Sequence, residues 1–186
     1  MLIRMDVTKL TQAAAFLLKK HNGFITRIRL LKLLYIADRE LIQQTRRPIT
    51  GDRPVAMDHG PVLSHTYDLL KGTATGADVW GRYIAQVAPF THKLIADPGV
   101  GKLSKVELAK LEELVQRYWF MDDEELSRLT HEFPEWKRNE PTKNGMNPIP
   151  TEHVLEALNL AGEIEQLRQE VAAESELDAL LASVKP

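Results

Sequence analysis

The sequence predicts a mainly α fold with a small antiparallel β-hairpin or sheet (α+β), a compact helical domain around a buried central helix. Three observations carry that expectation. Residues 27–43 place Ile28, Leu30, Leu31, Leu33, Leu34, Ile36, Ala37, Leu41 and Ile42 on nearly every side of a helix, and a helix lacking a polar face belongs in a core. Segments on both sides of it repeat apolar residues at helical spacing. Two β-like runs, 83–87 and 93–96, are joined by a short stretch containing Pro89 and read as a hairpin. The chain has 186 residues, 44% of them hydrophobic, which suits one domain with an appendage; we place the domain at 1–150 and a helical extension, packed on it, at 151–186.

The elements follow in order. Thr8 is expected to cap a first helix with Leu10, Ala14, Leu17 and Leu18 inward, ended by Asn22-Gly23. Thr26 caps the central helix. Residues 46–61 hold Pro48, Gly51, Pro54, Gly60 and Pro61 and read as irregular chain with one extended piece, Pro54–Met57. Pro61 suits the first position of a third helix, 62–71, ended by Gly72, with loop over 73–81. Ser104 with Glu107, and Asp122 with Glu125, are capping boxes that open two more helices. The first of these carries Leu108, Leu111, Val115 and Tyr118 on one stripe, and Trp119 and Trp136 are expected in the core. Residues 139–150 make an irregular crossing, and Thr151 opens a long helix with Leu160, Ile164, Leu167 and Val171 on one face. A last acidic segment repeats Leu177, Leu180, Leu181 and Val184 at helical spacing, as a helix that docks in a groove would, or one that packs on its own domain.

Composition narrows the chemistry. Without cysteine there is no disulfide framework, thiolate zinc site or cysteine nucleophile. No run approaches the roughly 18 apolar residues of a membrane span, and the N-terminus reads as an amphipathic helix rather than a signal peptide. A cytoplasmic protein is expected. The formal charge of −2 conceals a gradient from +6 over residues 1–60 to −6 over 151–186. That gradient fits a nucleic-acid face, an acidic tail for a basic partner, or charges satisfied within the molecule, and we take internal pairing with surface solvation as the expectation.

The densest polar cluster runs from Asp52-Arg53 through Asp58-His59-Gly60-Pro61 to Ser64-His65. His59 or His65 as base and Ser64 as nucleophile would make a hydrolase, but neighbours on a helix diverge by about 100°, so Ser64 and His65 are no dyad. The plainer reading is a loop-to-helix junction. The histidines at 21, 59, 65, 92, 131 and 153 show no metal-binding spacing, and no phosphate-cradling glycine motif is present. Lys19, Lys20, Arg27, Arg29 and Lys32 flank a helix–turn–helix junction, yet the second helix is too apolar to lie in a groove.

Three blocks of sequence, Lys32-Leu-Leu-Tyr-Ile-Ala-Asp38-Arg39, Pro48-Ile-Thr-Gly-Asp52-Arg-Pro-Val-Ala-Met-Asp58-His-Gly-Pro61-Val and Tyr67-Asp-Leu-Leu-Lys-Gly72, closely resemble the Panacea domain family, also called SocA-like and including phage-associated GepA-like proteins. Ser104 with Glu107, and Leu126 to His131 followed by Trp136, fit its later half, so the resemblance spans about 8–137. It implies the antitoxin of a bacterial or phage toxin–antitoxin pair, neutralising a protein toxin encoded by the adjacent gene through direct binding, or as an adaptor that delivers the toxin to a protease complex. It implies no enzyme, no catalytic residues and no cofactor or metal. Arg53, Asp58, His59 and Tyr67, around the family's most distinctive loop, are the partner-binding candidates, with Leu177, Leu180, Leu181 and Val184 in the tail. A DNA-binding regulator using the basic front is the alternative, and a metal-dependent hydrolase built around His59 the third reading; a homodimer is compatible with each.

Overall fold

The first helix, α1 (Val7–Lys20), begins two residues earlier than a cap at Thr8 would place it. Asp6 is the cap, accepting from the N–H groups of Thr8 and Lys9, because a carboxylate serves the helix's positive end better than a hydroxyl. The computed structural model describes residues 4–184. A short strand, β1 (Phe24–Thr26), follows the turn, and the Thr26 hydroxyl then caps the central helix α2 (Arg27–Thr45). As its composition requires, α2 is buried on almost every side, from Leu30 through Asp38.

Strands β2 (Pro54–Met57) and β3 (Gly60–Leu63) form a tight hairpin turning at Asp58-His59. The sequence reading put a helix at 62–71; the chain instead pairs Pro61 and Val62 with Ala56 and Val55, and helix α3 (Ser64–Leu70) starts only afterwards. Gly76 then opens a single helical turn, α4 (Ala77–Gly81), where loop was expected. The expected hairpin is present as β4 (Ile84–Ala88) and β5 (Thr91–Leu94), with a bulge between Gln86 and Ala88. It is a three-stranded antiparallel sheet, because β1 pairs with β5 from Phe24↔Lys93 to Thr26↔Thr91, giving the order β1-β5-β4.

Both capping boxes form, opening α5 (Lys105–Arg117) and α6 (Asp123–His131). α5 ends before Tyr118, so Trp119 leaves the stripe and is 45% exposed, against the expectation of a core position. Trp136, on α7 (Pro134–Arg138), is buried as expected. The irregular crossing contributes a strand, β6 (Met146–Pro148), that adds to β2 and makes a second antiparallel sheet, β3-β2-β6. The long helix expected from Thr151 is interrupted: α8 (Thr151–Ala157) ends at Leu158, and Asn159 has a left-handed φ of 60°. One 3-10 turn (Ala161–Glu163) then leads into α9 (Ile164–Val184).

Two apolar clusters hold these elements. The larger joins α1, α2, α5, α6 and the inner face of the first sheet. The smaller gathers Ile149, Val154, Leu155, Leu158 and Leu167 around Ile42, Ala56 and Trp136, so the segment from 149 to 167 packs on the domain through α2, β2 and α7. The structure is therefore mainly α with small antiparallel sheets, around a buried central helix.

Candidate functional site

The proline- and glycine-rich segment 46–53 has few apolar side chains to bury, so its shape must come from polar anchors. Two carboxylates provide them. Asp38, buried on α2, accepts from the Ile49 N–H at 2.8 Å and the Thr50 N–H at 3.0 Å, and also bonds the Thr50 hydroxyl. Burial pushes its carboxyl up to about 7, against the pull of those donors. The Thr50 hydroxyl in turn receives the Asp52 N–H at 3.1 Å. Asp52 accepts from the N–H groups of His65 and Thr66 at 3.0 and 2.7 Å and from the Thr66 hydroxyl at 2.7 Å. It thus caps α3 from thirteen residues upstream, a role no local pattern advertises.

A second anchor lies under the β2–β3 hairpin. Lys32 is 1% exposed, its ammonium donates to the Pro61 carbonyl at 2.9 Å, and burial lowers its pKa to about 7. Above it Gly60 has φ +93°, and a Cβ there would stand 2.5 Å from the Thr130 hydroxyl and 2.8 Å from the Lys32 ammonium. Only glycine fits on both counts. Beside them His131 stacks on Trp136 at 4.2 Å, with its pKa lowered by burial and by Lys32, and the indole N–H donates to the Met57 carbonyl at 3.1 Å. Further along the same face of α2, Glu135 is 1% exposed and accepts from the Tyr35 hydroxyl at 2.9 Å and from Arg39 at 2.7 Å. Burial and that carboxylate raise the Tyr35 pKa.

These anchors leave a cavity of about 490 Å³ between α2, the 48–55 segment and the crossing at 146–154. Its walls are chiefly apolar (Ile42, Pro48, Val55, Leu63, Ile149, Val154), with Tyr35, Asp38, Arg39, Asp52 and Arg53 as polar members. Wall residues beyond 145 were not anticipated; β6 brings them there by pairing Pro148 with Val55.

The four predicted loop residues are not one cluster. Arg53 is exposed, lines the cavity and makes no ion pair among the described residues. Asp58 and His59 sit at the opposite end of the hairpin, both exposed, and the Asp58 carboxylate receives the Asn144 N–H at 2.7 Å. Tyr67 lies elsewhere again, half-buried on α3, between the guanidinium of Arg27 and the ammonium of Lys71. In the tail, Leu177 is 56% exposed; the side chains of Leu180, Leu181 and Val184 lie outside the described residues.

Ser64 lines the cavity while the His65 ring bonds the Thr75 carbonyl at 3.0 Å, so no Ser64–His65 hydrogen bond forms among the described residues. No three potential ligands converge to hold a metal among the described residues. Of the basic front, Lys19 pairs with Asp97, Lys20 with Glu112, and Arg29 with Asp123 and the Met121 carbonyl, while Lys32 is buried. No helix among the described residues is long and apolar enough to cross a membrane.

The class these features define is a helical scaffold with buried polar residues that fix one loop beside a cleft. Residues 30–137, more than half the chain, match the family model described as antitoxin SocA-like, Panacea domain. The chain belongs to that family, and its role is in general terms that of an antitoxin. No curated protein and no solved structure matches it.

Proposed function

We propose that this protein neutralises a cognate protein toxin, encoded by the adjacent gene, by direct protein–protein binding and without catalysis of its own. Membership of the antitoxin family carries the proposal. The inward use of Asp38, Thr50, Asp52 and Thr66 supports it, because residues so engaged build a rigid frame rather than a reaction centre. Arg53 at the cavity mouth, the Asp58-His59 tip, Tyr67 and the Leu177 end of α9 are the exposed or half-exposed positions through which such a frame meets a partner.

Expression of the neighbouring gene in a bacterial host, alone and with this chain, tests the reading. Growth arrest by the neighbour and recovery with both is the expected result, and co-purification of the two proteins distinguishes occlusion from delivery to a protease. A neighbour that is harmless, or that stays toxic when both are well expressed, overturns it. The double substitution Asp58→Ala with His59→Ala tests the hairpin tip: unaltered neutralisation with a lowered melting temperature alone makes these residues structural. Removal of residues 174–186 without loss of toxin binding removes the tail from the interface.

A further inference from the structure

Most cations on this molecule sit against carboxylates, as Lys9 does against Glu107, Lys19 against Asp97 and Lys102 against Asp6. Arg27, Lys71 and Lys93 differ: among the described residues they make no ion pair and lie over aromatic rings instead. The Arg27 guanidinium is 5.0 Å from the centre of the Phe90 ring and 5.7 Å from that of Tyr67, and the Lys71 ammonium is 5.1 Å from Tyr67. Lys93 lies 5.3 Å over Phe24, its partner across the β1–β5 ladder. The Arg27 N–H also donates to the Phe90 carbonyl at 2.8 Å, three pairs along the ladder from Phe24↔Lys93, so the Lys93 pair stands apart from the group around Arg27. Phe90 is 61% and Phe24 47% exposed.

We propose that this strip, Arg27, Tyr67, Lys71 and Phe90, is where the toxin docks, and that the toxin presents there an acidic segment carrying apolar side chains. The proposal rests on the antitoxin reading for the identity of the partner and on the strip itself for its chemistry. A ring quadrupole attracts a cation without neutralising it, so the strip keeps its positive charge. Among the described residues, Asp68, three residues before Lys71 on α3, forms no ion pair with it, and Asp123 is already engaged by the Thr26 hydroxyl at 2.5 Å and by Arg29 at 3.3 Å. The rings also hold the long cationic side chains in place, so less freedom is lost when a carboxylate binds their N–H groups. The exposed Phe90 beside them offers the apolar contact that anchors protein interfaces, where aromatic and arginine side chains dominate the binding energy. Single-stranded nucleic acid suits the strip less well, since base stacking needs open ring faces and here cations lie over the rings.

The test uses the full chain with the purified product of the adjacent gene, in a binding titration at two salt concentrations. Phe90→Ala with Lys71→Glu is expected to weaken binding by about thirtyfold or more and to abolish growth rescue, with an unchanged melting temperature. Lys71→Glu alone, at an exposed site past the end of α3, is the second variant should the first fail to fold, with a loss of about tenfold expected. Wild-type binding that weakens with salt supports the charged character of the contact. Tight toxin binding by both variants overturns the strip while leaving the antitoxin reading intact, most clearly if Arg53→Glu at the cavity mouth abolishes binding instead. Failure of the wild-type chain to bind or rescue overturns both. Binding of a labelled oligo(dT) through the same residues, with the toxin ignored, makes the occupant a nucleic acid and overturns the proposal.

Discussion

The two three-stranded sheets are of the same size and handle their side chains in opposite ways. In β3-β2-β6 the strand β3 is buried along its whole length between α2 and α6, and polar groups are drawn in after it: Lys32 to the Pro61 carbonyl and Trp136 to that of Met57. In β1-β5-β4 only the inner face is buried, through Ile25, Ile84 and His92, while Phe24 and Lys93 remain outside. The β3-β2-β6 sheet ties distant pieces of chain together, so the residues it draws inward are structural. The β1-β5-β4 sheet is tied down from one side and leaves the other exposed. Much of the family's most recognisable sequence therefore marks how the frame is built, with Arg53, Asp58 and His59 as its exposed exceptions.

Four substitutions break or sharpen this contrast. Gly60→Ala combines a left-handed φ with overlap against Thr130 and Lys32, and is expected to cost about 3 kcal/mol or more, or to prevent folding. Urea denaturation measures it, and a loss below about 1 kcal/mol would show that the hairpin does not seat as described. Asp52→Ala strands the N–H groups of His65 and Thr66 and the Thr66 hydroxyl, with an expected loss of about 2–4 kcal/mol and less for Asp52→Asn, which keeps one acceptor.

Lys32→Met acts through pH. The Lys32 pKa falls from 10.5 to about 7 on folding, so between those values the unfolded chain holds a proton that the folded chain does not. Lys32 therefore makes stability rise with pH across that window, by an amount on the order of a few kcal/mol, and the variant flattens the rise. Asp38 has the opposite sign lower down: its carboxyl is raised from 3.8 to about 7, so its contribution falls as pH increases between those values. Melting temperature against pH for the two proteins reads both slopes. The smallest effect is expected on the open sheet, where Phe90→Ala should change stability by no more than about 0.5 kcal/mol. A larger loss would mean that the β1-β5-β4 sheet, too, uses its exposed ring to hold itself together.

What could be read from the sequence follows from how local each signal is. The central helix, both capping boxes and the β4–β5 hairpin are specified by residues a few positions apart, and all appear where expected. Strands β1 and β6 are three residues each and owe their existence to partners far along the chain, Thr91–Lys93 and Val55–Met57, so no local pattern betrays them. The start of α3 was misplaced for the same reason, because its cap is Asp52 and not a residue beside it. At the site, the polar cluster from Asp52 to His65 was visible, but its division was not. Asp52 turns inward and Arg53 outward from adjacent positions, and the aromatic rings that gather Arg27, Lys71 and Lys93 come from α3 and the first sheet.

The bulge in β4 bears on how another strand can approach one edge of that open sheet. β4 is one of the sheet's two edge strands, and past the bulge the Gln86 side-chain amide donates to the carbonyls of Ala88 and Pro89 at 3.1 and 2.9 Å, while Pro89 has no N–H to offer. A strand sliding alongside β4 would find the backbone's hydrogen-bonding rim already occupied at that end, which guards that edge against edge-to-edge aggregation. At that end of the sheet, contact falls to side chains and not to extension of the ladder.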